Sequence, residues 1–239
     1  MKRNLLLLSV ISVFAMFFSI SCSTDSPSES KPAPTPVILA AAAEMEDFED
    51  GSYVFSVNDV TGNITTGDDS TDGGTSEITG SSIVTGQLNG TYSLALTATV
   101  KSTLPVSTTE GDYTAMMPPS YDHVGYVTVN INFNNPVDLI TNNDFLYFTH
   151  KISDATAMAY RIYFYSQDRK YCYVGNNTPS TTSIYRQVYF SLLSSPSEYT
   201  AAEVLLNVNK IVFVLKYRSN GISQKDINFH IDDIGVSPE

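Results

Sequence analysis

Along most of the chain, short apolar and polar alternations are separated by Gly, Asn, Pro, Ser and Asp, the period-two pattern of strands with one covered face. Such runs lie near 53–58, 78–85, 91–101, 124–133, 144–153, 158–166, 171–174, 184–193, 209–217 and 226–236. The clearest is 91–101, where Tyr92, Leu94, Leu96, Ala98 and Val100 share one parity and Ser93, Thr97, Thr99 and Lys101 the other. The first set predicts a core face and the second a wet one. Ile211 to Leu215 are apolar at both parities, which predicts a central strand covered on both sides. One stretch, about Ser197 to Leu206, reads as helical, and no internal repeat is present. Strands at this spacing predict an all-β, antiparallel sandwich.

The first residues follow a different pattern. Lys2 and Arg3 precede an apolar run from Leu5 to Ile20, which ends in Ser21-Cys22. This is the layout of a lipoprotein signal peptide, too short to span a bilayer comfortably and followed by a polar tail. Ser19 stands where the strict lipobox has Leu. Lipidation of Cys22 would supply enough acyl chains for stable anchoring, which predicts a cell-envelope location, at the outer membrane or cell surface. Residues 23–43 are rich in Ser, Pro and Ala and read as a tether. The expected division is therefore 1–22 signal peptide, 23–43 tether and 44–239 domain.

Composition narrows the function classes. The chain has 239 residues, 42% of them apolar, enough for one well-packed domain. With 13 basic and 25 acidic side chains its net charge is −12, which argues against nucleic-acid binding because phosphates would be repelled. Removing residues 1–22 takes away Lys2 and Arg3 and no acid, deepening the charge to −14. Of the two cysteines, Cys22 is the anchor and Cys172, between two tyrosines, reads as an inert strand thiol.

The acids are informative where they bracket the domain, in Glu46-Asp47-Phe48-Glu49-Asp50-Gly51 at its start and Ile231-Asp232-Asp233-Ile234 at its end. Ile227, Phe229 and Ile231 share a parity that, continued, turns Asp233 inward, and a buried carboxylate needs a partner. If the terminal strands lie side by side, Asp47 and Glu49 approach Asp232 and Asp233 with no Lys or Arg near in sequence. A structural calcium ion would neutralise them, since carboxylate and carbonyl oxygens are its preferred ligands. Otherwise the acids end the strands in solvent, or a bulge near Asp232 turns both outward. A second acidic stretch, 68–74, begins with EF-hand spacing, but Thr79 stands at the twelfth position where a bidentate Glu is needed. It reads as a soluble loop.

For binding, Arg161, Tyr163 and Tyr165 share the polar-capable parity of the 158–166 strand, and Tyr173, Tyr185 and Gln187 follow on the next strands. Tyrosine offers a stacking face and a hydroxyl, and Arg or Gln bonds sugar hydroxyls, so these six residues form a candidate glycan platform. The same face would suit a surface-protein partner, and tyrosines also serve as ordinary strand packing. Catalytic signatures are missing: no nucleophile elbow, HExxH, P-loop or CxxC occurs, and His123, His150 and His230 are far apart. The expected protein is non-catalytic.

Five landmarks, EDFEDG (46–51), GTYSLAL (90–96), PVDLITNNDFLYF (136–148), YRQVYFSL (185–192) and INFHIDDIGV (227–236), taken in this order, resemble the galactose-binding-like jelly roll of bacterial carbohydrate-binding modules. The resemblance covers most of residues 44–239. It implies an antiparallel jelly-roll β-sandwich, a calcium ion joining first and last strands through Asp47 or Glu49 and Asp232 or Asp233, and carbohydrate as ligand. The chain departs from the family in having no Trp, with Tyr185 where many relatives carry one.

Overall fold

The computed structural model describes residues 34–72, 74–88, 90–102, 124–218 and 223–239. The expected signal peptide, Cys22, residues 23–33 of the tether and His123 lie outside the described residues.

Two antiparallel sheets make a β-sandwich. In chain order the strands are β1 (Val37–Ile38), β2 (Glu44–Glu46), β3 (Val54–Val57), β4 (Val60–Asp68), β5 (Glu77–Thr85), β6 (Tyr92–Ser102), β7 (Val124–Asp138), β8 (Phe145–Ile152), β9 (Met158–Ser166), β10 (Tyr171–Asn177), β11 (Ile184–Tyr189), β12 (Val208–Arg218) and β13 (Ser223–Ser237). The first sheet runs β10-β9-β12-β7-β4-β3, with β1 added parallel to β7; the second runs β11-β8-β13-β6-β5, with β2 added to β13. The hydrophobic alternation placed ten of these strands. It missed β1, which is only two residues long, and β2 and β4, whose Glu, Gly and Thr content hides a strand.

Between the sheets lies one apolar core. Leu94, Leu96, Ala98 and Val100 of β6 face it as their parity predicts, against Val127, Val129 and Ile131 of β7 and Ile162 and Phe164 of β9. The predicted wet parity of β6 is only partly wet, because Ser93 and Ala95 are buried as well. β12 is central, between β9 and β7, and Ile211 to Leu215 are all buried, three facing the core and Val212 and Val214 facing a second apolar cluster beyond the sheet. Phe148 of one sheet meets Phe213 of the other edge-on at 5.0 Å, closing the core across both layers.

The expected tether boundary moves. Val37 and Ile38 pair with Val137 and Asp138, and Leu39 and Ala43 are buried in the core, so the fold has begun by Val37 rather than at Glu44. The physical reason is the apolar stretch Val37–Leu39, which gains more from burial than a solvated tether would. The predicted helix shortens to α1 (Ala201–Leu205), started by Thr200 and Glu203, which bond each other's backbone N–H groups in a capping box. The acidic turn after β4 is a 3-10 turn, Asp69–Asp72, in which Asp69 turns inward and accepts hydrogen bonds from Ser76 N, Ser76 Oγ and Tyr126 N. This carboxylate ties the turn to β5 and β7.

Candidate functional site

The terminal strands do lie side by side: Glu46 pairs with Ile234 and Glu44 with Gly235. Register along β13 shifts between Asp232 and Gly235, where Asp233 adopts a positive φ of 50°. Inward parity therefore passes from Ile231 to Ile234 and Val236 instead of Asp233. This corrects the expectation for the pair. The bulge forms, but Asp232 is the carboxylate that it buries, leaving it 1% exposed, while Asp233 is half-buried and accepts a hydrogen bond from Thr149 Oγ1.

Asp232 uses one oxygen to accept from Asp233 N, and its Oδ2, though buried, has no hydrogen-bond partner among the described residues. Burial first, and then the negative charges of Asp233, Glu49 and Asp47, push its carboxyl up to about 8. The four acids singled out from the sequence thus sit close enough to feel one another. Glu49 is tied by its Oε1, which accepts from Thr91 N and Tyr92 N, and these bonds hold its carboxyl below the usual range. The close approach requires Gly90, at φ 69°, because a Cβ there would lie 2.5 Å from Glu49 Oε1. Asp47 Oδ1 accepts from Glu49 N.

The adjoining Glu46 is buried and accepts from Phe48 N, and desolvation pushes it up to about 7. Phe48 itself is fully buried at φ 59°, so the acidic segment is pinned to the core by its central ring. Among the described residues no three Asp, Glu, His or Cys side chains converge closely enough to enclose a metal ion by themselves.

The candidate glycan residues divide between two faces. On the far side of the first sheet, strand register aligns Tyr171, Tyr165, Lys210, Asn132 and Asn63 in one row and Tyr173, Tyr163, Val212, Asn130 and Thr65 in the next. Arg161, Val214, Thr128 and Gly67 form a third row, and Lys216 with Tyr126 a fourth. Four of the six predicted residues, Arg161, Tyr163, Tyr165 and Tyr173, meet here. The Arg161 guanidinium lies 5.1 Å from the Tyr173 ring and 5.8 Å from that of Tyr163, whose hydroxyl accepts from Arg161 Nη1 at 3.0 Å. Tyr163 and Tyr165 stack at 6.0 Å.

Tyr185 and Gln187 do not join them. β11 pairs with β8 in the second sheet, where Ile184, Arg186 and Val188 take the parity of the inward-facing His150, Phe148 and Leu146. Tyr185 and Gln187 therefore face out beside Tyr147, which stacks on Tyr185 at 5.8 Å. Tyr185 is 50% exposed. Sequence proximity misled here, since β10 and β11 look like neighbours but belong to different sheets.

Lys210, Lys216, Tyr126, Asn130 and Asn132 were missed. Lys210 and Lys216 carry a readable signal, because they sit at the same parity as Val212 and Val214 on β12. The side chains of Asn130 and Asn132 are held by β4: Asn130 Nδ2 donates to Thr65 O, and Asn132 Nδ2 to Asn63 Oδ1 and Thr65 Oγ1. Beside them a cleft of about 480 Å³ is lined by Tyr126, Thr128, Asn130 and Lys210 with the turn after β4. The remaining reactive groups point elsewhere. Cys172 is buried in the core with its thiol pushed up to about 12 by desolvation, and His150 is fully buried among Phe148, Tyr160 and Phe229.

No family model and no curated protein sequence matches the chain. Solved structures do. The family 11 carbohydrate-binding module of a cellulosomal cellulase of Clostridium thermocellum is similar with a TM-score of 0.51 and 15% identity, over 84% of this chain and 97% of that one. A family 11 module from the same organism, in complex with a β-1,3-1,4-mixed-linked tetrasaccharide, is similar with a TM-score of 0.49 and 16% identity, over 84% and 98%. The chain thus has the antiparallel β-sandwich fold of carbohydrate-binding modules.

Proposed function

We propose that the protein is a non-catalytic, lipid-anchored carbohydrate-binding protein of the cell envelope, and that the outer face of the first sheet is its binding face. The observation that carries this reading is the pair of half-buried tyrosines, Tyr171 and Tyr173, aligned in register over the buried Tyr165, Tyr163 and Arg161, with the partly exposed amide of Asn132 along the same row as Tyr171. Flat rings stack on the apolar faces of sugar rings, and an accessible amide bonds the hydroxyls at their edges, while Arg161 holds the Tyr163 and Tyr173 rings from beneath. A sandwich shared with known carbohydrate-binding modules supports the reading at the level of fold. The buried Cys172 and His150 offer no accessible nucleophile or base.

Attachment would come from acyl chains on Cys22, because a net charge of −12 opposes adsorption to anionic lipid. The acidic junction of β2 and β13 fits a calcium ion in its chemistry: Asp232 Oδ2 is buried with no donor among the described residues, and Asp47, Glu49 and Asp233 are the acids that bear on it. These residues, completed by backbone carbonyls, would hold the ion and join the two ends of the domain.

Titration of the purified protein against soluble polysaccharides tests the binding reading. Tyr173→Ala, at a half-buried rim position, is expected to weaken binding about tenfold, the equivalent of ~1.4 kcal/mol, with an unchanged melting temperature. Binding that survives both Tyr171→Ala and Tyr173→Ala, or no binding to any polysaccharide, would sink it.

A further inference from the structure

The polar half of the outer face of the first sheet has one chemistry. Asn130, Asn132 and Asn134 occupy alternate positions of β7, so their side chains leave the sheet on the same side, and each turns its amide nitrogen towards β4. Asn132 Nδ2 donates to Asn63 O, Asn63 Oδ1 and Thr65 Oγ1 at 3.4, 3.1 and 3.1 Å, and Asn134 Nδ2 to Thr61 Oγ1 at 2.9 Å. Asn130 Nδ2 donates to Thr65 O and to Thr128 Oγ1. A backbone carbonyl can only accept, so Asn63 O and Thr65 O fix which end of Asn132 and of Asn130 is nitrogen. The donors of these amides are engaged within the sheet. What they offer a ligand is carbonyl oxygen.

Depth separates the three. Asn130 is 7% exposed, and its Oδ1, which has no hydrogen-bond partner among the described residues, is covered. Asn132 is half-buried and Asn134 exposed, so theirs are the accessible oxygens. Two residues apart on one strand, they repeat at about 7 Å. Strand register carries Asn132 across Lys210 of β12 and Tyr165 of β9 to Tyr171 of β10. That is three strand spacings, or ~14 Å. A single sugar ring is shorter than this span, whereas an oligosaccharide laid across the strands covers it.

Acceptors of this kind discriminate by protonation. A carbonyl oxygen takes a hydrogen bond from a free sugar hydroxyl, but an ether or ester at the same position brings no proton and leaves the oxygen desolvated and unpaired. A site built to bond a hydroxyl therefore rejects the blocked analogue more strongly than an apolar pocket rejects a missing methylene.

We propose that Asn132, with Asn134 beside it, is the specificity-determining residue of this face, and that the ligand is an oligosaccharide lying across the strands from Tyr171 to Asn132 with unsubstituted hydroxyls over β7. The inference rests on the glycan-binding reading and specifies which chains the face accepts.

The test is calorimetry of the full chain against mixed-linkage β-glucan, galactan, xylan and mannan, each beside its O-methylated form, and against their constituent single sugars. Methylation keeps the sugar backbone and removes the hydroxyl donors. The expected result is that a polymer binds about tenfold or more tighter than its methylated form, and tighter still than any single sugar. Asn132→Leu should abolish the preference for the unmodified polymer. Asn132→Asp, which keeps an acceptor oxygen but loses the donor to β4, should retain it. Asn134→Ala, at an exposed position, should reduce the preference several-fold with an unchanged melting temperature, and it gives the answer even where Asn132→Leu disturbs the fold. Equal binding of methylated and unmodified polymers, a preference that survives Asn132→Leu, or an equal loss in Asn132→Leu and Asn132→Asp overturns the hydroxyl inference and leaves the glycan reading standing. A single sugar that binds as tightly as its polymer overturns the span from Tyr171 to Asn132. Failure of every polymer to bind overturns the glycan reading as well.

Discussion

At the end of β4 the carboxylate of Asp69, 2% exposed, receives Ser76 N–H and Ser76 Oγ–H at 2.8 and 2.7 Å and Tyr126 N–H at 3.1 Å. At the bulge of β13 the equally buried Asp232 receives one backbone N–H, and its second oxygen receives nothing among the described residues. Both carboxyls are raised by desolvation, Asp69 against three opposing hydrogen bonds and Asp232 with three neighbouring acids adding to the shift. The first arrangement is self-sufficient and structural, since every oxygen has a donor. The second leaves a buried oxygen without a donor among the described residues, beside three further acids.

Removing Asp69 should be the most damaging change. Asp69→Ala leaves two backbone N–H groups and a buried hydroxyl without acceptors, at ~1–2 kcal/mol each, so denaturant unfolding should show a loss of roughly 3–6 kcal/mol. A loss below ~1 kcal/mol would show that water replaces the carboxylate and would break the contrast with Asp232.

A second unpartnered group sharpens the comparison. Neither ring nitrogen of His150 has a hydrogen-bond partner among the described residues, and its ring neighbours are Phe148, Tyr160 and Phe229, with the cation of Arg186 nearby. Burial, and then Arg186, hold it down to about 4 instead of the usual 6.5. The folded state keeps it neutral while the unfolded chain takes up a proton. Its contribution is complete above pH 6.5 and is lost as the pH falls towards 4, by about 3 kcal/mol in all. His150→Phe, which preserves the ring contacts, should flatten that part of the stability-against-pH curve relative to the parent protein. Identical curves would mean that His150 is protonated in the fold.

Calcium comes next in size. An ion bound only by the folded state at a hundredfold excess over its Kd adds about 2.7 kcal/mol. Calcium should raise the melting temperature of the parent protein, chelator should reverse the change, and Asp232→Asn should abolish it while Asp69→Ala retains it. An unchanged melting temperature in chelator would mean that the Asp232 pocket is closed by a proton instead. The smallest effect is expected from Tyr185→Ala. It removes one exposed stacking contact with Tyr147, worth under about 1 kcal/mol, and should leave glycan binding untouched because Tyr185 lies on the other sheet. Loss of binding on this change would move the site to the second sheet.

The strands were legible where side chains alternate. Leu94, Leu96, Ala98 and Val100 announced the core face of β6, and the apolar run Ile211 to Leu215 announced a central strand. β4 was not legible, because its strand is made of Thr, Asn and Gly that earn their place by pairing with β7. Of the candidate sites, Arg161, Tyr163 and Tyr165 could be read together from one parity of one strand. Their continuation through Lys210 and Lys216 could have been read from β12, but only with the knowledge that β12 lies beside β9.

What the chain determined by itself is local: the alternation that makes strands, the acids at both ends of the domain and the parity that sets tyrosines against the core. Each follows from the two-residue repeat of an extended backbone and the cost of burying charge. Which strands become neighbours is a long-range outcome. It sent Tyr173 to the grid and Tyr185 to the opposite sheet, and it placed the bulge that buried Asp232 in preference to Asp233. A one-residue shift of register reverses every side chain beyond it, and only the closing of both sheets around a common core decides where that shift falls.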